Sequence, residues 1–279
     1  MTLSTFKSAL RKAARSLTGI ALALYASAST AIQPYNMPVG VTDISREVFG
    51  LHMLIFWICV AIGIVVFGVM LISIVKHRKS AGHQAAQFHE STKVEVIWTI
   101  IPFAILIGMA IPASQTLIAM EGSSEDADMT IKITGYQWKW HYEYLGEDLG
   151  FYSNLTTPRE AIHNQAEKGE HYLLEVDNPL VLPVGKKVRF LLTSNDVIHA
   201  WWVPDLAVKK DAVPGFINEM WTRINEPGTY RGQCAELCGR DHGFMPVVVE
   251  ALPEAEFENW LKKRKGNAPT QTAALPNAR

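Results

Sequence analysis

Between residues 234 and 245 the chain reads Cys234-Ala-Glu-Leu-Cys238-Gly-Arg-Asp-His242-Gly-Phe-Met245, so two thiols, an imidazole and a thioether fall within twelve residues. Thiolate with thioether is a soft donor set, of the kind that selects copper over harder ions. A second imidazole has to come from elsewhere. The candidate is His199, in Asp196-Val-Ile-His199-Ala-Trp201-Trp202 just after an expected strand, where a loop at the end of a β-sandwich can carry it to the cysteines. Two other chemistries compete for the cysteine pair: a small-loop disulfide in an oxidising compartment, and zinc, for which a thioether is a poor ligand. A mononuclear blue-copper site uses one cysteine, two histidines and a weak axial methionine. A second thiolate instead permits two copper ions bridged by both sulfurs, with His199 and His242 as terminal ligands. Such a pair shares one electron between its metals, which suits electron transfer better than substrate turnover. The third cysteine, Cys59, lies in an apolar run and reads as packing. Three cysteines in 279 residues are too few for a disulfide scaffold.

The elements that must position these groups follow from the hydropathy pattern. From residue 129 onward the chain alternates in short runs broken by Asn-Pro, Pro-Gly and Val-Gly turns, and the spans 129–134, 138–144, 172–176, 187–193, 219–224, 229–233 and 246–251 read as strands. Seven strands so spaced predict an antiparallel sandwich. The stretch 146–169 has no clear period and reads as a surface loop, and 253–265 reads as a terminal helix with Phe257, Trp260 and Leu261 on one face. Upstream, two apolar runs at 51–75 and 94–118 are each long enough to span a bilayer as helices, the second tolerating Pro102 and Pro112. Between them lie Lys76, Arg78, Lys79 and Lys93, against Arg46 alone in the preceding flank, which puts this loop in the cytoplasm and both mature termini outside. Residues 1–31 carry Lys7, Arg11, Lys12 and Arg15, then an apolar stretch, then small residues ending in Ser29-Thr30-Ala31. That is the pattern of a cleaved secretory signal; its alternative is an uncleaved amphipathic anchor. The expected organisation is a signal at 1–31, a helical hairpin at 32–118, a β domain at 119–265 and a flexible tail at 266–279.

The formal net charge of −1 conceals an uneven distribution. Residues 119–260 hold 12 Lys/Arg and 23 Asp/Glu, a local balance of −11. An acidic domain repels nucleic acid and attracts basic partners, and it is equally what ordinary solubility requires.

The copper loop closely resembles the binuclear CuA site of the cytochrome c oxidase subunit II family. The resemblance extends from Ser45 to Trp260 through Val94-Glu95-Val96-Ile97-Trp98-Thr99, Gly135-Tyr136-Gln137-Trp138-Lys139-Trp140, Leu174-Glu175-Val176-Asp177-Asn178 and Asp211-Ala212-Val213-Pro214-Gly215. It implies two N-terminal transmembrane helices and a C-terminal all-β, cupredoxin-like Greek-key sandwich. It further implies that His199, Cys234, Cys238, His242 and Met245 supply side chains to two copper ions and Glu236 its backbone carbonyl. The Glu236 carboxylate would then face a magnesium ion at the interface with subunit I, a hard ligand for a hard ion. Trp138 is expected to take electrons from cytochrome c, its alternative being a core tryptophan sharing a strand face with Trp140. Glu95 is expected at the entrance of a proton pathway into subunit I, its alternative being an interfacial snorkelling charge. Asp177, Asp196, Asp211 and Glu143 are candidate docking charges. The implied function is electron transfer from cytochrome c to haem in subunit I of a proton-pumping oxidase in a bacterial inner membrane, together with other oxidase subunits. The implied site of the β domain is the periplasm. Oxygen chemistry would lie on subunit I. Departures from the family pattern are Tyr136 where His is common, Lys139 where an aromatic is common, and Phe216 where Arg often follows Pro-Gly. Nitrous oxide reductase carries a similar loop but has a large catalytic domain and lacks these two helices. A copper-delivery protein would expose its ligands, and quinol oxidase subunit II lacks them.

Overall fold

The computed structural model describes residues 35–82, 84, 87, 89–122 and 126–266. The expected signal at 1–31 lies outside them, as does nearly all of the expected tail. The elements below all belong to one compact unit of the chain, which begins at Val39.

Helix α1 spans Asp43–Lys76 and α2 spans Thr92–Met120. Both extend outward beyond their apolar runs because polar caps and tertiary bonds carry them on. Thr42 caps α1 reciprocally: its hydroxyl accepts from Ser45 N and its own N–H donates to Ser45 Oγ, both at 2.9 Å. Glu47 and Thr116 join the helices through a 2.8 Å hydrogen bond from the threonine hydroxyl. Pro102 and Pro112 are accommodated within α2. The apolar side chains of both helices point outward along most of their length, with Ile64, Val65, Phe103 and Ile111 each more than 60% exposed. Soluble monomers rarely leave an apolar surface of this extent bare. Cys59 is exposed on this surface, not packed within the chain as its apolar surroundings suggested.

The β domain has ten strands in two five-stranded sheets. In chain order these are β1 Met129–Tyr136, β2 Lys139–Tyr144, β3 Leu149–Ser153, β4 Leu180–Pro183, β5 Lys187–Ser194, β6 His199–Val203, β7 Val208–Ala212, β8 Asn218–Arg223, β9 Gly228–Cys234 and β10 Pro246–Leu252. One sheet runs β3-β2-β1-β5-β8 and the other β4-β10-β9-β6-β7. The pairing is mixed, not purely antiparallel: β1 with β5 and β10 with β4 are parallel. Alternating residues fill the space between the sheets, with Ile131, Ile133, Trp140, Tyr142, Phe190 and Leu192 from the first meeting Leu180, Leu182, Trp201, Val203, Val247 and Val249 from the second, all essentially without solvent contact.

The stretch 172–176 is not a strand. Leu173 adopts φ +63°, and Tyr172 and Leu174 close turns onto Gly169 and His171. Only Val176 pairs, as a single bridge to Leu155. One edge of the second sheet is instead β4, whose continuous apolar run Leu180-Val181-Leu182 lacks the alternation of a half-exposed strand and is buried throughout. The supposed loop at 146–169 contains β3 and a single helical turn, α3 (Arg159–Ile162). The terminal helix α4 covers Glu254–Gly266, with Phe257 and Trp260 stacked at 5.9 Å against the sandwich.

The outward ends of the helices are fastened to the sandwich. Val41 N donates to Asp205 O, Asn225 N to Val41 O and Asn225 Nδ2 to the Asp43 carboxylate, while Lys210 bridges to Glu121 at 2.8 Å.

Candidate metal centre

Three neighbouring strands of one sheet bring the donor groups to one end of the sandwich. β6 begins at His199, β9 ends at Cys234, and Met245 directly precedes β10. The register Trp201↔Cys234 and the bond from Ala235 N to Ala200 O set the cysteine beside the start of β6. Cys234 N donates to Met245 O at 2.9 Å, tying in the third strand. The loop between β9 and β10 then folds Cys238 and His242 back over this end.

Cys234 Sγ and Cys238 Sγ are 3.8 Å apart. A disulfide requires about 2.05 Å, so the thiols are free, whereas a metal about 2.3 Å from each sulfur can bridge this gap. His199 Nδ1 lies 3.9 Å from Cys234 Sγ, and His242 Nδ1 3.5 Å from Cys238 Sγ. The His199, Cys234 and Cys238 donor atoms lie within 4.8 Å of one another, and all three residues are buried. Met245 is 1% exposed, and Glu236 O accepts from the Cys234 thiol at 3.4 Å. The residues therefore fit a soft metal shared by two sulfurs, with one imidazole to each side.

The electrostatics set the two thiols apart. Burial raises the Cys234 thiol, but the hydrogen bond with the His199 imidazole and those with the backbone at Glu236 and Ala200 outweigh it, and the group ends below its ordinary value. Cys238 is pushed up, first by burial and then by the charge of Cys234 beside it. The pair gives up one proton readily and holds the second, which a bound cation would displace.

His199 is held from behind. Its Nε2 meets Asp196 Oδ1 at 2.9 Å, which leaves Nδ1 to face the sulfur. Burial works to raise Asp196, yet its bonds from His199 and from the backbone N–H groups of Gln137 and Val197 bring it below the usual carboxylate range. The Trp140 ring meets the imidazole edge-on at 5.9 Å. A Cβ at Gly135 would approach His199 Cδ2 to 2.7 Å, so only glycine leaves room for the ring.

Residues 129–252 match the family described as cytochrome C oxidase subunit II, periplasmic domain, and residues 29–116 match cytochrome C oxidase subunit II, transmembrane domain. A probable cytochrome c oxidase subunit 2 of Rickettsia bellii is 38% identical over 253 residues, covering 89% of this chain and 92% of that protein. The chain belongs to the cytochrome c oxidase subunit II family. A mitochondrial cytochrome c oxidase subunit 2 of Glycine max is 38% identical over 224 residues, covering 80% of this chain and 57% of that protein. Among solved structures, the periplasmic domain of subunit II of the cytochrome oxidase of Bradyrhizobium japonicum is 39% identical, covering 52% of this chain and 98% of that one, with a TM-score of 0.46.

The two apolar helices are those of a membrane protein of this family, and the separate cupredoxin-like sandwich corresponds to the family's periplasmic domain. Set against this framework, several sequence expectations need correction. His199 is the first residue of a strand, not a loop residue, because β6 pairs with β7 from His199 onward and with β9 from Trp201. Trp138 belongs to the turn between β1 and β2, and it does not share a face with Trp140. The turn at 137–138 breaks the period of two, leaving Trp138 half-buried and Trp140 with no exposure. Three of the four candidate docking carboxylates are already engaged: Asp196 as above, Glu143 with Lys132 at 2.9 Å, and Asp177 with Asn154. Glu236 is exposed on the copper loop, and Glu95 is exposed in the first turn of α2. Sequence reasoning missed the supporting residues Gln137 and Gly135 and the bracing role of Asp196. Gln137 Nε2 donates to Cys238 O at 2.8 Å and so ties the hairpin tip to the copper loop. Their only signal was membership of the resembling stretches.

Proposed function

We propose that this chain is the electron-accepting subunit of its oxidase, taking electrons from a c-type cytochrome and delivering them to haem in subunit I, where oxygen reduction drives proton pumping. The observation that carries the reading is the convergence of two free thiols, two imidazoles and a buried thioether at one end of the sandwich. His199, Cys234, Cys238, His242 and Met245, with the Glu236 carbonyl, would hold two copper ions, and the bound pair supplies a one-electron centre. The chain's own part is rigidity. Asp196 fixes one imidazole, Gln137 fixes the Cys238 carbonyl, and strand pairing fixes Cys234, so little needs to move when charge changes. Trp138, at the outer edge of the same network, would present its ring to the cytochrome.

The Glu236 carboxylate, exposed on the same loop, would hold magnesium with subunit I. Glu95, at the inner end of α2, would admit protons. Residues 1–31 would be removed on export, leaving a hairpin at 32–118 in a bacterial inner membrane and a copper domain at 119–265 in the periplasm.

The test is the optical and EPR spectrum of the copper-loaded protein. A purple, mixed-valence two-copper signal is expected, and Cys234→Ser should abolish it while the sandwich stays folded by circular dichroism. A single blue-copper signal from the unaltered chain, or a mixed-valence signal that survives the substitution, would overturn the reading.

A further inference from the structure

The surface around Trp138 does not share the acidity of the domain that carries it. Carboxylates of the same hairpin and adjoining loops are paired, Asp196 by His199 and Gln137, Glu143 by Lys132 with His141 at 3.8 Å, and Asp241 by Arg240 through two bonds of 3.1 Å, while Glu236 stays exposed. Two cations adjoin the tryptophan, Arg240 in space and Lys139 in sequence. Arg240, held by Asp241, lies 5.6 Å from the Trp138 ring centroid, with 82% of its side chain exposed. Lys139 follows Trp138 directly, and its ammonium sits 4.5 Å from the ring centroid of Tyr152, itself 42% exposed. Among the described residues Lys139 has no carboxylate partner. Tyr152 in turn packs against Tyr136 at 5.6 Å and His141 at 4.5 Å, so the ammonium is seated on an aromatic cluster instead of waving free.

Contact charges act over short distances. At physiological ionic strength the screening length is about 8 Å, so the domain's distant carboxylates guide approach, while Lys139, which unlike Arg240 is not paired with a carboxylate, decides what sits beside the hairpin tip. Like charges brought together at a contact are unfavourable. We propose that the cytochrome fitted to this surface carries a carboxylate on the rim of its contact face, opposite Lys139, in place of an unbroken ring of lysines. This rests on the reading of Trp138 as the point where electrons arrive, and it names the partner's chemistry at that point.

The experiment uses the assembled oxidase containing this subunit and two donors: a cytochrome c with a lysine-rich haem rim, and the same cytochrome with rim lysines replaced singly by glutamate. Affinity is read from the concentration dependence of stopped-flow reduction at fixed ionic strength, for the natural subunit and for Lys139→Glu. The natural subunit should bind the best glutamate-bearing cytochrome about two- to fivefold more tightly than its parent, the range of an exposed charge contact. Lys139→Glu should reverse that order, and Lys139→Gln should abolish the difference. Tighter binding of the lysine-rich parent by the natural subunit, or an order indifferent to position 139, would overturn the proposal. Failure of the underlying reading looks different: copper that is reduced by ascorbate with a small mediator but by neither cytochrome would remove the basis for both.

Discussion

Trp138 and Trp140 are two residues apart, and a hairpin turn gives them unlike surroundings. Both indole nitrogens are buried and unpaired, but Trp140 as a whole is sealed against the His199 ring, so replacing it would disturb the imidazole and the core together. Trp138 lies against the copper loop: a Cβ at Gly239 would come within 3.2 Å of its ring. Trp138→Phe therefore tests electron acceptance with little structural cost, and Tyr136→Phe, at the same hairpin tip, is the control. If the indole carries the electron, the Phe variant should reduce copper more than about tenfold slower in stopped flow, equivalent to about 1.4 kcal/mol of barrier, with copper content unchanged. A contact role alone predicts a change in affinity of order 1 kcal/mol and a normal rate once bound. A normal transfer rate at saturating cytochrome would end the electron-acceptance role.

The donor set depends on how β6, β9 and β10 lie side by side. Because strand side chains alternate, a slip of one residue between β9 and β6 would turn Cys234 away from His199. Gly232 enforces the approach, since a Cβ there would stand 1.9 Å from Trp202 O on the neighbouring strand, a backbone atom that cannot swing aside. Gly232→Ala should cost about 3 kcal/mol, the upper end of overpacking penalties, and should lose the two-copper signal as the strands part. Gly169→Ala, which meets nothing within 4 Å, should change neither. Equal thermal midpoints and copper signals for the two variants would refute the register argument.

At the scale of the molecule, charge and apolar surface are segregated. The outward-pointing apolar helices face lipid or partner subunits, and the acidic excess sits in the sandwich. Much of that acidity is used in ion pairs, such as Arg189 with Glu219 at 2.5 Å and Arg231 with Glu175 at 2.9 Å, yet the net balance of −11 over residues 119–260 still projects a field. The second-order rate of reduction by a basic cytochrome should fall as ionic strength rises from about 0.01 to 0.15 M, where the screening length shrinks from about 30 to 8 Å. Lys139→Gln should steepen that fall by removing an opposing charge. A rate independent of salt would exclude electrostatic steering.

The local sequence was enough to determine the apolar helices, the sandwich class and the soft donor set, because each is written in short-range features: an unbroken uncharged run, a period of two, and four donor side chains in twelve residues. It misjudged 172–176, where a positive φ at Leu173 breaks an apparently alternating run, and it overlooked β4, whose uninterrupted apolar residues lack the alternation of a half-exposed strand. Only the tertiary structure decided which carboxylates stay free and which brace the site. Asp196, Glu143 and Asp177 look alike along the chain and differ solely in what the fold sets beside them. The same holds for the two tryptophans and for Gly135 and Gly232. Burial and close approach are properties of residues distant in sequence, and no local period encodes them.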